Sequence, residues 1–199
     1  MFRVRGSGKG NVMKLAVVFP GIGYHADKPL LYYTRKLAEQ AGYTVLTLNY
    51  GDFGPLDGIR DDMEKRYKVF MRAWDKAEQA LYNVDWSEPD DVLFISKSIG
   101  TTVAAAYEDR HCVEAHHIYF TPIEQTFGFM RDESGIVFHG TKDAWAETES
   151  ILEGCRHRNV PVSLVDGANH SLETGDIDQD VRNLEKVIGQ AEKYLQSIT

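Results

Sequence analysis

At 199 residues, with 26% charged and 43% hydrophobic side chains, the chain is long enough for a substantial core and has the composition of one ordinary globular domain. A formal net charge of −8 argues against nucleic acid or an anionic membrane as a partner, and no stretch is long and apolar enough to span a bilayer. Two cysteines, Cys112 and Cys155, are too few for a disulfide framework and fit a reducing compartment, so a cytoplasmic location is expected.

Residues 1–12 read as a flexible leader or a short edge strand, basic but without the apolar centre of a signal peptide. Their Gly6-Ser-Gly-Lys-Gly10 run is only superficially a phosphate loop, since no strand precedes it and Gly10 stands where Ser or Thr should follow the lysine. Residues 13–19 (Met-Lys-Leu-Ala-Val-Val-Phe) form the first firm strand, running into the loop Pro20-Gly-Ile-Gly-Tyr-His25. Asp27 is placed to cap a helix with Pro29 in its first turn and Leu30, Tyr33, Leu37, Ala38 and Ala41 on its buried face. Residues 43–48 are the second strand, and residues 49–58 a loop carrying Gly, Asp and Pro. Ile59, Met63, Tyr67, Phe70, Trp74, Ala77 and Leu81 then recur at helical spacing.

Val92 to Ile95 is a short apolar run, the mark of a strand covered on both faces. It stops at Ser96-Lys-Ser98-Ile-Gly100, and the small residues Thr101, Thr102, Ala104, Ala105 and Ala106 continue as a helix able to lie close to a sheet. A serine at the tip of so sharp a turn is pushed out of the surface, with free helix N–H groups behind it. Ser98 thus reads as a nucleophile or, more plainly, as a helix cap. Further strands come at 115–120, 135–139 and 160–165, with an irregular Phe-bearing stretch at 121–131, a short helix at 147–155 and a last helix from about Asp178. Val181, Leu184, Ile188, Ala191, Leu195 and Ile198 mark the buried face of that last helix. Strands alternating with helices predict an α/β three-layer sandwich: a mostly parallel sheet of about six strands with helices on both faces. Residues 13–199 would form it as one domain.

Ligands of such sheets bind beyond the carboxyl ends of the strands. Beyond three of them stand Ser98, then Asp143 in His139-Gly-Thr-Lys-Asp143, then His170 in Asp166-Gly-Ala-Asn-His170. The turn Ser96-Lys-Ser98-Ile-Gly100, with Ser96 for the usual first glycine, and the order Ser…Asp…His make the chain resemble the α/β-hydrolase family, in a pared-down form lacking two opening strands. That resemblance implies a serine hydrolase with Ser98 as nucleophile, His170 as general base and acid, and Asp143 as the orienting acid, with Asp166 and Asp132 as rival acids and Ser96 as a rival hydroxyl. It implies an oxyanion hole from the backbone N–H groups of Ile99 and, in the Pro20-Gly21-Ile22-Gly23 loop, Ile22. Gly21, Gly23, Tyr24, Phe120 and Ile123 are then candidate substrate-binding residues, and neither a cofactor nor a metal is called for. Phe120, Ile123, Phe127, Phe129 and Met130 would form an apolar rim or lie in the core beneath a loop. Because only residues 120–134 stand where the family inserts its lid, no cap domain is expected. Such an open site suits a small ester, thioester or lactone.

Other readings stay open. Gly21-Ile-Gly23-Tyr-His-Ala26 scans as a dinucleotide fingerprint, although its helix would have to absorb Pro29. His111, Cys112, His116 and His117 invite a metal, but adjacent strand residues face opposite ways. Asp176, Asp178 and Asp180 suit a helix start better than a calcium loop. A hydrolase-like scaffold that binds a ligand or partner without turning it over is the alternative function.

Overall fold

Residues 12–199 are described by a computed structural model, and the expectations for residues 1–11 lie outside it. Six strands, β1 (Lys14–Phe19), β2 (Tyr43–Thr47), β3 (Asp91–Lys97), β4 (His116–Phe120), β5 (Gly135–Gly140) and β6 (Val162–Val165), form one sheet in the order β2-β1-β3-β4-β5-β6. Every pairing is parallel, so each connection must cross over the sheet. Helices in these crossovers are α1 (Pro29–Gln40), α2 (Met63–Leu81), α3 (Ile99–His111) and α4 (Thr148–His157), and α5 (Ile177–Ile198) follows β6.

Side-chain alternation along the strands builds two cores. Ala16, Val18, Leu93, Ile95, Ile118, Phe120 and Phe138 point to one face, where α1 and α5 cover them. Leu15, Val17, Phe19, Val92 and Phe94 point to the other, against α2 and α3, and Tyr119 and Val137 extend it under α4. Both faces of the inner strands are covered, which is why those strands read as continuous apolar runs. None of the described helices is long and apolar enough to cross a membrane.

Several helix boundaries and faces differ from the sequence expectation, each for a local reason. The cap position of α1 is Lys28 without a side-chain bond, and Asp27 instead accepts from Arg35. The buried face of α1 is Leu30, Leu31, Thr34 and Ala38, with Tyr33 exposed. Thr34 can be buried because its hydroxyl donates to the Leu30 carbonyl, a solution that hydrophobicity does not reveal. Ile59–Asp61 is a separate 3-10 turn, and α2 starts only after Asp62, whose carboxylate accepts from the Lys65 N–H at 3.0 Å. In α5 the cap is Asp176, which accepts from Gln179 N–H, and Asp180 accepts from the Thr174 and Gly175 amides; Val181 is exposed. Asp176 and Asp180 thus close the start of the helix.

His117 is buried in β4, whereas its neighbour His116 is half-buried, so the two do not converge. His117 Nε2 donates to Glu108, which also accepts from the Ala115 N–H and from Arg131. Burial alone would raise the Glu108 carboxyl, but His117, the Ala115 amide and Arg131 outweigh it and hold the group below its ordinary range. Burial holds His117 low, so the imidazole is a neutral donor and Arg131 supplies the balancing charge. Removing the carboxylate in Glu108→Ala would strand two buried donors, with an expected loss of about 2–5 kcal/mol in urea unfolding. Because the folded carboxyl titrates below its unfolded value, this contribution is present above the unfolded value and fades as pH falls through the folded one. A loss below about 1 kcal/mol, the scale of a surface pair, would show that the network holds little together.

Candidate active site

Ser98 occupies the corner between β3 and α3 with φ 56° and ψ −127°, a conformation that costs a non-glycine residue about 1–3 kcal/mol. Its side chain makes no capping bond to α3, so the helix-cap reading does not describe it. The corner is possible because its neighbours are small. A Cβ on Gly100 would stand 2.3 Å from the Phe19 carbonyl oxygen, and one on Gly21 would stand 3.2 Å from Ser98 Cβ. Ser96 also fits: it is fully buried, with its hydroxyl 3.4 Å from the Ile118 carbonyl, and it does not line the cleft.

The loops after β5 and β6 bring their residues to the same place. Ser98 Oγ lies 2.7 Å from His170 Nε2, and His170 Nδ1 lies 2.7 Å from Asp143 Oδ2. The other Asp143 oxygen accepts from the Trp145 N–H at 2.8 Å, which fixes the carboxylate. The rival acids are elsewhere: Asp166 accepts from the Thr141 hydroxyl and Asp132 from Arg158, both at the surface. His139, fully buried, places Nδ1 3.8 Å from Asp143 Oδ2 and bonds Thr148 through Nε2, so the carboxylate sits between two imidazoles.

The electrostatics suit a base at His170. Burial first, then the Lys97 ammonium, hold His170 below its ordinary value against the pull of Asp143, so the imidazole is neutral at pH 7. Burial would raise Asp143, but His170, the Trp145 amide and His139 more than compensate and keep it ionised. A neutral imidazole, aligned by a carboxylate on one nitrogen and facing a hydroxyl on the other, is able to accept that hydroxyl's proton. The thiol of Cys155, by contrast, is pushed up to about 12 by burial and sits on the buried face of α4.

Ser98, Ile99, Ile22 and His170 share the wall of a cleft of about 510 Å³. The amides of Ile22 and Ile99 donate to no group among the described residues. Of the candidate substrate-binding residues, Ile123 lines the cleft together with Phe129 and Trp145. The others need correction. Phe120 is fully buried and stacks on Phe138 in the core, because alternation in β4 turns it inward. Tyr24 is buried in the same core, with its hydroxyl accepting from the Leu30 amide. Gly23, like His25, borders a separate depression of about 440 Å³ beside the β1 and β2 ends; Gly21 borders it too, while packing against the Ser98 corner. Met130 is buried, and the Phe127 ring packs on Gly154. The dinucleotide geometry is not formed either, since α1 begins only at Pro29, well past the glycines.

Sequence reasoning missed the opposite wall of the cleft, which comes from Leu56, Ile59, Met63, Tyr67 and Phe70. The signal was present: the first half of the α2 stripe is too apolar for a solvated face. Met63 and Tyr67 are 77% and 63% exposed because this half overhangs the sheet end and looks into the cleft, whereas Ala73, Ala77 and Leu81 pack on the core. Lys97 was also missed; it is 1% exposed at the end of β3, in a position where an ammonium group has no ordinary reason to be.

No protein-family model and no curated protein matches this sequence. Solved structures do. The chain is similar to an α/β serine hydrolase homologue from Coxiella burnetii (16% identity, 94% of this chain and 88% of that one, TM-score 0.63). It is similar to an α/β serine hydrolase without lid from Xanthomonas campestris (14% identity, 92% and 81%, TM-score 0.60). It is also similar to an esterase from Pyrococcus furiosus (12% identity, 95% and 84%, TM-score 0.63). These likenesses extend over nearly the whole chain and concern its fold.

Proposed function

From the premise that this chain has the α/β-hydrolase fold, we propose that it is a serine hydrolase cleaving a small carboxylic ester, thioester or lactone through an acyl-enzyme. The observation that carries this reading is the pair of 2.7 Å contacts linking Ser98 Oγ, His170 and Asp143. Ser98 attacks the carbonyl carbon while His170 Nε2 takes its proton. Asp143 holds the tautomer and stabilises the imidazolium. The amides of Ile22 and Ile99 receive the oxyanion, and His170 returns the proton to the leaving group. Water, activated by the same imidazole, then attacks the acyl-enzyme and releases Ser98.

The cleft bears on the substrate. Its walls are apolar and aromatic on both sides, with Ile59, Met63, Tyr67 and Phe70 facing Ile123, Phe129 and Trp145. A volume of about 510 Å³ takes an apolar group of moderate size rather than acetate alone. The β4–β5 connection holds only a short 3-10 turn, Glu124–Gly128, so this segment adds no lid, and the cover comes from the start of α2.

The test is a panel of p-nitrophenyl esters and thioesters of increasing acyl length, run beside fluorophosphonate labelling. Wild-type protein is expected to be labelled and Ser98→Ala not at all, with medium acyl chains preferred over acetyl. Equal labelling of the two proteins would leave the scaffold-only alternative standing, and a strong preference for long-chain lipid esters would contradict the small-substrate part of the reading.

A further inference from the structure

We propose that Lys97 is a positioning residue whose buried ammonium clamps the His170 loop onto the sheet and so holds the imidazole in register with Ser98. This rests on the serine-hydrolase reading above.

The clamp is visible in the contacts. Lys97 stands immediately before Ser98, yet its side chain runs away from the cleft and is 1% exposed. Its Nζ donates to the His170 carbonyl at 2.7 Å and to the Thr121 hydroxyl at 2.5 Å, and the Thr121 hydroxyl in turn donates to the same carbonyl at 3.2 Å. The ammonium also lies 5.0 Å over the Tyr24 ring, whose face favours a cation. One charged group thus ties the end of β3 to the residue after β4 and to the loop after β6. Two of these junctions are backbone-strained, with φ 42° at Thr121 and 61° at Leu172, just beyond His170. Among the described residues the His170 carbonyl accepts only from Lys97 and Thr121, so this is where the histidine's own backbone is held. Burying an ammonium is costly, and an apolar side chain would fill the space more cheaply. Its presence beside the nucleophile therefore calls for a use.

Charge gives the clamp a second effect. The groups around Lys97 are Asp143, Lys28 and Glu173, and those around the His170 ring are Asp143, His139 and Lys97 itself. Burial pushes the Lys97 ammonium down to about 7, while His170 is held below its ordinary value. An ammonium at Lys97 disfavours a second positive charge on the His170 ring. Losing the Lys97 charge raises His170, so the acid limb of kcat/KM, which requires the neutral imidazole, moves to higher pH.

The experiment measures kcat, KM and the pH dependence of kcat/KM on p-nitrophenyl butyrate, with thermal melting, for wild type, Lys97→Met and Lys97→Gln. Lys97→Met is expected to lower kcat by roughly 100-fold, the cost of a displaced base, with KM little changed and the acid limb moved to higher pH. Lys97→Gln retains a donor for the His170 carbonyl and should recover part of kcat while its acid limb stays displaced. A lowered melting temperature with an unmoved acid limb would mark Lys97 as structural only and overturn the proposal. Wild-type kcat and pH profile in Lys97→Met would overturn it while leaving the hydrolase reading intact. Should Lys97→Met not fold, Thr121→Val loosens the same clamp without removing a charge. A fall in its kcat at unchanged KM supports the proposal and unaltered kinetics overturn it. If wild-type protein neither turns over the ester nor takes the fluorophosphonate, the hydrolase reading itself has failed, and the role of Lys97 falls with it.

Discussion

Ser98→Ala and His170→Ala are each expected to lower kcat by on the order of 10⁶, and the double variant by no more than either alone. Their 2.7 Å contact makes them one device: the hydroxyl is a poor nucleophile without the imidazole, and the imidazole has nothing to activate without the hydroxyl. On the proposed mechanism, what survives either loss is the cleft and the amides of Ile22 and Ile99, unpaired among the described residues and expected still to hold the ester and favour an oxyanion. Residual turnover of roughly 10³–10⁴ over water is therefore the common floor. Steady-state kinetics on the single and double variants, with active-site titration to detect wild-type carry-over, reads this directly. If the losses multiply in the double variant, the residues act independently and the acyl-enzyme mechanism is wrong.

Asp143→Asn is expected to cut kcat by about 10⁴ while leaving the fold unchanged. The carboxylate accepts from His170 Nδ1 with one oxygen and from the Trp145 amide with the other, so it both orients the ring and keeps the proton on the nitrogen remote from Ser98. An amide in its place can present N–H to the ring and select the wrong tautomer. The pH dependence adds a sign that separates this from mere damage. Asp143 raises His170 towards its ordinary value, so its loss lowers the imidazole further and moves the acid limb of kcat/KM to lower pH. That is opposite to the direction expected for Lys97→Met. An acid limb that moves upward in Asp143→Asn would mean that this carboxylate does not face the titrating base.

The fold was legible because its strands carry their burial in their composition. Val92 to Ile95 and the Val-rich run before Phe19 are apolar on both faces, and such runs alternating with helical stretches leave few arrangements other than a parallel sheet. The placement of Ser98, Asp143 and His170 was legible for a related reason: each stands in the turn or loop just beyond a strand, and parallel strands deliver all such loops to one edge of the sheet. Less could be read from helices. The apolar period of α1 points to Tyr33, which is exposed, because the buried Thr34 is polar and satisfied only by its own helix. Likewise, Phe120 looks like a rim residue but is turned into the core by alternation in β4, and Asp27 looks like a cap but lies outside the helix start.

Residue order alone therefore pointed to about six mostly parallel strands, as found among the described residues, and to the side chains that stand just beyond their carboxyl ends. Local chemistry suffices for that, because period, strand length and the demands of a sharp turn are written within a few neighbouring positions. Tertiary structure alone decided that the start of α2 would wall the cleft, that His139 would flank the same carboxylate as His170, and that Lys97 would be buried beneath the His170 loop. Each of these joins segments far apart along the chain, and the energy of such a contact depends on what else has been excluded from water around it.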